Sequence, residues 1–302
     1  MPQRITPMRL KDIALLCLVS SLWGFNFIVI RWGLDEFPPL LFSALRFTAC
    51  AAPIALGIPR PKIPWSALIL LGITLGIMVF GLLYLGIYFG LGAGLASVLM
   101  QTQVFFTVLL ASLFLGEHID RRGIVCISAG LAGILLIALG GGSSFTVVGF
   151  ALTLGGAFAW GISNILLKRL PPVNSLHLMV WLSLVPPLPL FVASAFFEGS
   201  DTFIAAVRSI SAGGLAAILY TSAISTIFAY GVWGSMLRRY RTSQVSQFAL
   251  LVPVVGLVSA WYCFGTSPTA VQMLGIVAIV FALGANQRAR PSEMGTVYPS
   301  RR

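Results

Sequence analysis

The chain has 302 residues, of which 58% are hydrophobic and 9% are charged, and its net charge is +11. Soluble domains carry about 25% charged residues, so this composition excludes a protein that covers itself with a polar surface. The basic residues lie in short segments between apolar runs, which argues against nucleic acid as the partner. The chain is therefore predicted to be solvated by lipid.

Ten apolar runs long enough to cross a bilayer follow one another along the chain. They cover residues 12–32, 39–58, 65–89, 93–115, 121–140, 146–168, 175–197, 211–237, 243–264 and 269–288. Turn-forming and charged residues separate them. The pattern predicts an all-α integral membrane protein with ten transmembrane helices, flanked by cytoplasmic tails at residues 1–11 and 289–302.

The basic residues predict the orientation of these helices. With the N-terminus in the cytoplasm, the inner segments hold sixteen Lys and Arg residues, and the outer segments hold only Arg31 and Arg208. Short loops rich in Lys and Arg stay on the cytoplasmic side. Both termini are therefore predicted to be cytoplasmic.

The sequence contains two copies of one unit. The first copy has Trp23-Gly24, Asn26, Arg31, Tyr84, Ser97 and Phe114-Leu115-Gly116, and the second has Trp160-Gly161, Asn164, Lys168, Trp233, Ser246 and Cys263-Phe264-Gly265. Five crossings end on the opposite side, so the copies at residues 12–140 and 146–288 are predicted to be inverted. Inverted repeats are typical of alternating-access transporters, with the substrate near the bilayer midplane where the copies meet.

Charged residues within the spans restrict the substrate. Every Asp and Glu lies at the margin of a predicted span or outside it, which favours a neutral or zwitterionic substrate and argues against a proton carried by an intramembrane carboxylate. Arg46 is the one charge in the interior of a span, away from its ends. It either extends outward or pairs with Asp35 or Glu36, or it receives a substrate carboxylate.

Amides and aromatic residues complete the predicted site. Amides buried in a membrane either join helices or face a wet cavity. Aromatic residues three or four positions apart lie on one face of a helix. Such a face either lines a cavity or belongs to the aromatic belt at the membrane interface. Besides Arg46, the predicted substrate-binding residues are Trp23, Asn26, Tyr84, Tyr88, Gln101, Trp160, Asn164, Tyr230, Trp233 and Gln247.

Catalytic motifs are missing from the sequence. There is no phosphate loop, no Gly-x-Ser-x-Gly elbow and no His-x-x-x-His pair, and the four cysteines show no metal spacing. The chain is predicted to be neither an enzyme nor a cofactor- or metal-binding protein. A multidrug or sugar-conjugate carrier, and a channel or scaffold, remain the alternatives to a carrier of small zwitterions.

Six short motifs occur in an order that resembles the drug/metabolite transporter superfamily and, within it, the ten-span EamA-type exporters. They are Trp23-Gly24-Phe25-Asn26-Phe27, Pro38-Pro39, Arg46-Phe47, Ala93-Gly94-Leu95-Ala96-Ser97, Gly116-Glu117 and Leu251-Val252-Pro253-Val254-Val255-Gly256. The chain looks most similar to bacterial inner-membrane exporters of aromatic amino acids and of cysteine and O-acetylserine. This resemblance implies export of amino acids through a central cavity. Since two halves already enclose a cavity, a monomer is predicted.

Overall fold

The computed structural model describes residues 8–116, 121–208, 210–240, 245 and 247–288, and all regular structure in these ranges is helical. The predicted tail at 289–302 and the motif residues Glu117 and Ser246 lie outside them. The helices of the first half are α1 (Leu10–Gly33), α2 (Pro39–Ala51), α3 (Trp65–Leu71), α4 (Phe80–Tyr88), α5 (Ala93–Met100), α6 (Gln103–Leu115) and α7 (Arg121–Gly140).

The second half has a similar series of helices. They are α8 (Val147–Lys168), α9 (Ser175–Leu182), α10 (Pro187–Phe197), α11 (Ser200–Arg208), α12 (Ala212–Leu219), α13 (Ala229–Arg239), α14 (Leu251–Phe264) and α15 (Ala270–Arg288). Short 3₁₀ turns follow α2 at Ala52–Leu56 and precede α14 at Gln247–Leu250.

Seven helical stretches in the described ranges are long and apolar enough to cross a membrane. They are Leu10–Gly33, Trp65–Tyr88, Ala93–Leu115, Gly123–Gly140, Val147–Lys168, Ser175–Phe197 and Ala212–Leu237. Three shorter apolar helices lie at Pro39–Ile54, Phe248–Phe264 and Ala270–Ala282. The apolar helices therefore lie where the sequence predicts spans.

Two segments of π-helix interrupt the long helices. The segment π1 (Gly72–Val79) joins α3 to α4, and π2 (Tyr220–Phe228) joins α12 to α13. Their last residues are 149 positions apart in the chain. A π-helical turn is wider than an α-helical turn and is frequent at functional sites. Each half of the molecule therefore contains the same rare interruption at a corresponding position.

Glycines at two helix ends repeat at the same interval. Gly116 ends α6 and Gly265 ends α14, with φ values of 65° and 64°. This left-handed conformation is readily adopted only by glycine, and it terminates a helix. The Phe114-Leu115-Gly116 and Cys263-Phe264-Gly265 motifs are thus equivalent helix ends.

Close helix packing joins the ends of the two halves. A Cβ atom on Gly133 of α7 would lie 2.7 Å from the carbonyl oxygen of Gly275 on α15, and a Cβ on Gly275 would lie 2.6 Å from that of Gly133. Only glycine fits at both positions, because the backbones themselves are in contact. The contact is reciprocal.

Each half places one long helix against a π-containing stretch of the other half. Helix α1 packs along α12, π2 and α13, and helix α8 packs along α3, π1 and α4. The buried core is continuous across both halves. Polar residues on α1 and π2 are therefore brought together although they are about 200 positions apart in the chain.

One acid at the margin of a helix is buried by the fold. Helix α1 begins at Leu10, so Asp12 belongs to its first turn, and this side chain is only 2% exposed. Asp12 therefore lies at the margin of a helix, as the sequence predicts, and the fold buries its side chain there. Its side chain is covered because the end of α13 packs against this turn.

Candidate substrate site

Arg46 is buried in the middle of α2, with 1% of its surface exposed. Its Nη1 donates a hydrogen bond of 3.1 Å to the Tyr84 hydroxyl, and its Nη2 donates one of 2.8 Å to Thr226 Oγ1. The guanidinium carbon lies 3.9 Å from the centroid of the Phe80 ring. Nε has no hydrogen-bond partner among the described residues. The guanidinium group is therefore held by neutral groups and keeps one free donor.

Neither simple interpretation of Arg46 from the sequence is correct. The side chain does not extend to the surface, and Asp35 pairs instead with Arg31, while Glu36 accepts a hydrogen bond from Ser211. Across the described ranges, no acid forms an ion pair with Arg46. An isolated buried charge costs several kcal/mol, by order of magnitude, and an anion bound beside it offsets this cost. Arg46 is therefore a buried cation without an acidic partner in the described part of the chain.

An aromatic group lies next to Arg46. The Trp23 ring centroid is 5.2 Å from that of Tyr230 and 5.0 Å from that of Trp233. Trp23 Nε1 donates a 2.8 Å hydrogen bond to the carbonyl oxygen of Ser225. Ser225 directly precedes Thr226, which accepts a hydrogen bond from Arg46. Trp23 and Arg46 are therefore bonded to consecutive residues of π2. We call Trp23, Tyr230 and Trp233 the aromatic group.

The π-helical geometry of π2 supports this arrangement. Thr226 Oγ1 donates a 2.8 Å hydrogen bond to the carbonyl oxygen of Thr221, five positions earlier, while accepting from Arg46. Sequence analysis missed Thr226, Ser225 and Phe80, because single hydroxyl and phenyl groups are common in membrane helices. The available signal was the cluster of four buried hydroxyl residues on one turn of an apolar span: Thr221, Ser222, Ser225 and Thr226.

The two amides predicted to be equivalent have different surroundings. Asn164 Nδ2 donates to Gln103 Oε1 at 2.6 Å and to Thr107 Oγ1 at 3.0 Å, so it joins α8 to α6. Asn26 is 5% exposed, and within the described ranges its Oδ1 has no hydrogen-bond partner. Asn26 therefore offers a buried acceptor, whereas the Asn164 nitrogen is already bonded to two acceptors on α6.

The remaining predicted residues lie apart from Arg46. Tyr88 is 56% exposed at the end of α4, where its ring contacts Phe89. Trp160 is half-buried against the core from α8, and Gln101 is half-buried at the break between α5 and α6. No hydrogen bond or ring contact among the described side chains joins these three residues to Arg46 or to the aromatic group. The side chain of Gln247 lies outside the described part of the chain.

Membrane-length helices with a cation and polar groups buried between the two halves define an integral membrane protein of the transporter class. The model of the EamA-like transporter family matches residues 10–139 and again residues 147–285. The chain belongs to this family, as the resemblance predicts, and it is a transporter of the inner membrane with multiple spans and not an enzyme.

Known proteins similar to this chain agree with that assignment. A "probable amino-acid metabolite efflux pump" of Escherichia coli K12 is 38% identical over 284 residues, covering 91% of this chain and 94% of the relative. An "uncharacterized inner membrane transporter YedA" of the same organism is 26% identical over 269 residues, covering 87% and 86%. One solved crystal structure has a TM-score of 0.61 at 16% identity, covering 92% and 97%, and thus shares the fold.

Proposed function

We propose that the protein exports amino acids and related small metabolites from the cytoplasm by alternating access. The name of the 38% identical E. coli relative supports the substrate class and the direction. The buried polar groups between the two halves support an internal site that opens to one side at a time.

The proposed topology has ten spans, two inverted halves and both termini in the cytoplasm. The equivalent π-helices, the equivalent glycine helix ends and the reciprocal contact of Gly133 with Gly275 support two halves of like structure. The two separate matches of the family model support the same boundaries. Sixteen basic residues on the predicted inner side support the orientation.

The single observation on which the substrate proposal depends is the environment of Arg46. Its Nη atoms bind neutral hydroxyl oxygens and its Nε atom binds nothing in the described ranges, although guanidinium is suited to bind two oxygens of one carboxylate. A substrate carboxylate would replace a hydroxyl partner and neutralise the charge. The free Asn26 oxygen would accept from the substrate ammonium, and the aromatic group would contact the side chain.

Counterflow in proteoliposomes tests this proposal. Liposomes loaded with an unlabelled neutral amino acid should accumulate the labelled compound, and the corresponding amino-acid amide, which lacks a carboxylate, should compete poorly. Arg46→Gln should remove this preference, because each lost charge-assisted hydrogen bond is worth about 1.5–3 kcal/mol. Arg31→Gln is the matched control, since Arg31 is exposed.

A cationic dye is the second compound in this assay. Transport of the dye with no exchange of amino acids would support the multidrug alternative instead. Amino-acid exchange in which Arg46→Gln still prefers the acid over its amide would overturn the assignment of Arg46 while leaving the transport function intact.

A further inference from the structure

A second cluster of charged groups lies at the opposite end of α1 from Arg31. A cavity of about 410 Å³ opens there between the start of α1 and the end of α13, and it is lined by Arg9, Lys11, Asp12, Arg239 and Tyr240. The distribution of basic residues predicts that this end faces the cytoplasm. An exporter collects its substrate from this side.

Asp12 is the buried member of this cluster. Its Oδ2 accepts a 2.6 Å hydrogen bond from the Tyr240 hydroxyl. Its Oδ1 is covered and has no hydrogen-bond partner among the residues that the structure describes. Arg239 Nη1 lies 3.8 Å from Oδ1, within ion-pair distance but beyond hydrogen-bond length. Most buried polar atoms have a hydrogen-bond partner, so this oxygen is an open acceptor.

The basic side chains around Asp12 are in a different situation. Arg9 and Lys11 are exposed, and the side chain of Arg239 is 60% exposed. In the described ranges, Arg9 and Lys11 form no ion pair. The cavity therefore combines one buried, negatively charged hydrogen-bond acceptor with several exposed, positively charged donors at its rim.

We infer that this cavity is a cytoplasmic loading site for a zwitterion, separate from the Arg46 site. The substrate ammonium would displace the groups that cover Asp12 Oδ1 and donate to it, and the substrate carboxylate would contact Arg9, Lys11 or Arg239. A metal cation would leave the basic residues unused, and a simple anion would be repelled by Asp12, whereas an amino acid matches both signs. This inference rests on the proposed export of amino acids.

The two proposed sites share the same pair of helices. Asp12 and Trp23 both lie on α1, eleven residues apart, which at 1.5 Å per residue is about 16 Å along the helix. Tyr230 and Arg239 both lie on α13, about 13 Å apart by the same rise. Helices α1 and α13 are in contact. A substrate released from the loading site would therefore need to move only a short distance along these helices to reach the aromatic group.

Asp12→Asn tests the loading site in proteoliposomes of known orientation. The KM for an amino acid supplied on the cytoplasmic side should rise about tenfold, the loss expected for one hydrogen bond between charged groups. The KM from the outer side should change far less. The inhibition constant of the matching 2-hydroxy acid, which has no ammonium, should not change on either side. Asp201→Asn on α11 is the control, since Asp201 is an exposed acid far from the cavity in sequence.

Two further variants separate loading from a structural role of Asp12. Tyr240→Phe removes the hydrogen bond between α1 and α13 but keeps the carboxylate, so it should not reproduce the ammonium-specific defect. Arg9→Gln combined with Lys11→Gln changes only exposed side chains, and it should raise the cytoplasmic KM for the amino acid and the hydroxy acid alike.

Three results would overturn the inference. The first is an equal rise, in Asp12→Asn and Tyr240→Phe, of the cytoplasmic KM for the amino acid and of the inhibition constant of the hydroxy acid. This result would show that the cluster only holds α1 and α13 together. The second is wild-type amino-acid transport with no effect of Asp12→Asn on the cytoplasmic KM, which would leave the proposed function standing. The third is the absence of amino-acid transport by the wild type, which would overturn the proposed function together with the loading site.

Discussion

Arg46 and Thr226 lie in opposite halves of the chain, and the 2.8 Å hydrogen bond between them joins α2 to π2 at a buried position. Thr226 is also bonded to the Thr221 carbonyl group, so one hydroxyl links the buried cation to the unusual turn of the helix. Arg46 and Trp23, which come from different helices of the first half, are therefore both hydrogen-bonded to π2.

The first prediction concerns this hydroxyl group. Thr226→Val keeps the shape of the side chain but removes both hydrogen bonds, leaving Arg46 Nη2 without an acceptor. Thermal unfolding in detergent should show a loss of about 1–3 kcal/mol, the cost of an unsatisfied buried donor. Thr48→Val on the same α2 helix is the control, since Thr48 is exposed and bonds only within its helix. Equal unfolding temperatures for the two variants would contradict the prediction.

The second prediction concerns the aromatic group. Trp23→Ala removes the ring that contacts Tyr230 and Trp233, and transport of amino acids with large apolar side chains should fall by more than about tenfold. Small amino acids should be affected less, because they do not reach this wall. The measurement is the ratio of kcat/KM for phenylalanine and alanine. Trp261→Ala, an exposed tryptophan of α14, should leave that ratio unchanged.

A third prediction follows from the contact of Gly133 with Gly275. Gly133→Ala would place a methyl group 2.7 Å from the backbone oxygen of Gly275, so α7 and α15 must separate. We expect a loss of stability of about 1–3 kcal/mol, as for other overpacked contacts, measured by thermal unfolding in detergent. Gly155→Ala provides the comparison, since the nearest atom to its new methyl group would be 3.5 Å away. Equal stability of the two variants would contradict the prediction, because it would show that α7 and α15 separate with no loss of free energy.

The fourth prediction tests the orientation. Cysteines introduced at Arg60 and Arg239 in a cysteine-free protein should react with an impermeant reagent from the same side of the membrane, and a cysteine at Asp201 should react from the other side. The reason is the excess of basic residues in the segments that hold the first two positions. Labelling of positions 60 and 239 from opposite sides would exclude the inverted-repeat topology.

The structure agrees best with those predictions that depend only on residues close together in the chain. The apolar runs correspond to helices because a backbone in lipid must satisfy its own hydrogen bonds, and the 149-residue interval holds for the helix ends at Gly116 and Gly265. The same interval relates π1 to π2, yet nothing in the apolar pattern predicts a π-helix. That geometry depends on hydroxyl groups and on neighbours such as Trp23, which come from distant parts of the chain.

By itself, the sequence determined that the chain is an all-helical membrane protein built of two similar units, since hydropathy and repetition are properties of neighbouring residues. It also singled out Trp23, Arg46, Tyr84, Tyr230 and Trp233, which the structure gathers around π2. Only the tertiary structure decided that Arg46 is bound by hydroxyl groups instead of acids, that the Asn164 nitrogen has partners while the Asn26 oxygen has none in the described ranges, and that Asp12 is buried. The physical reason is that burial and hydrogen bonding depend on which helices pack together. The contacts between the two halves need residues from both, so the sequence of one half does not determine them.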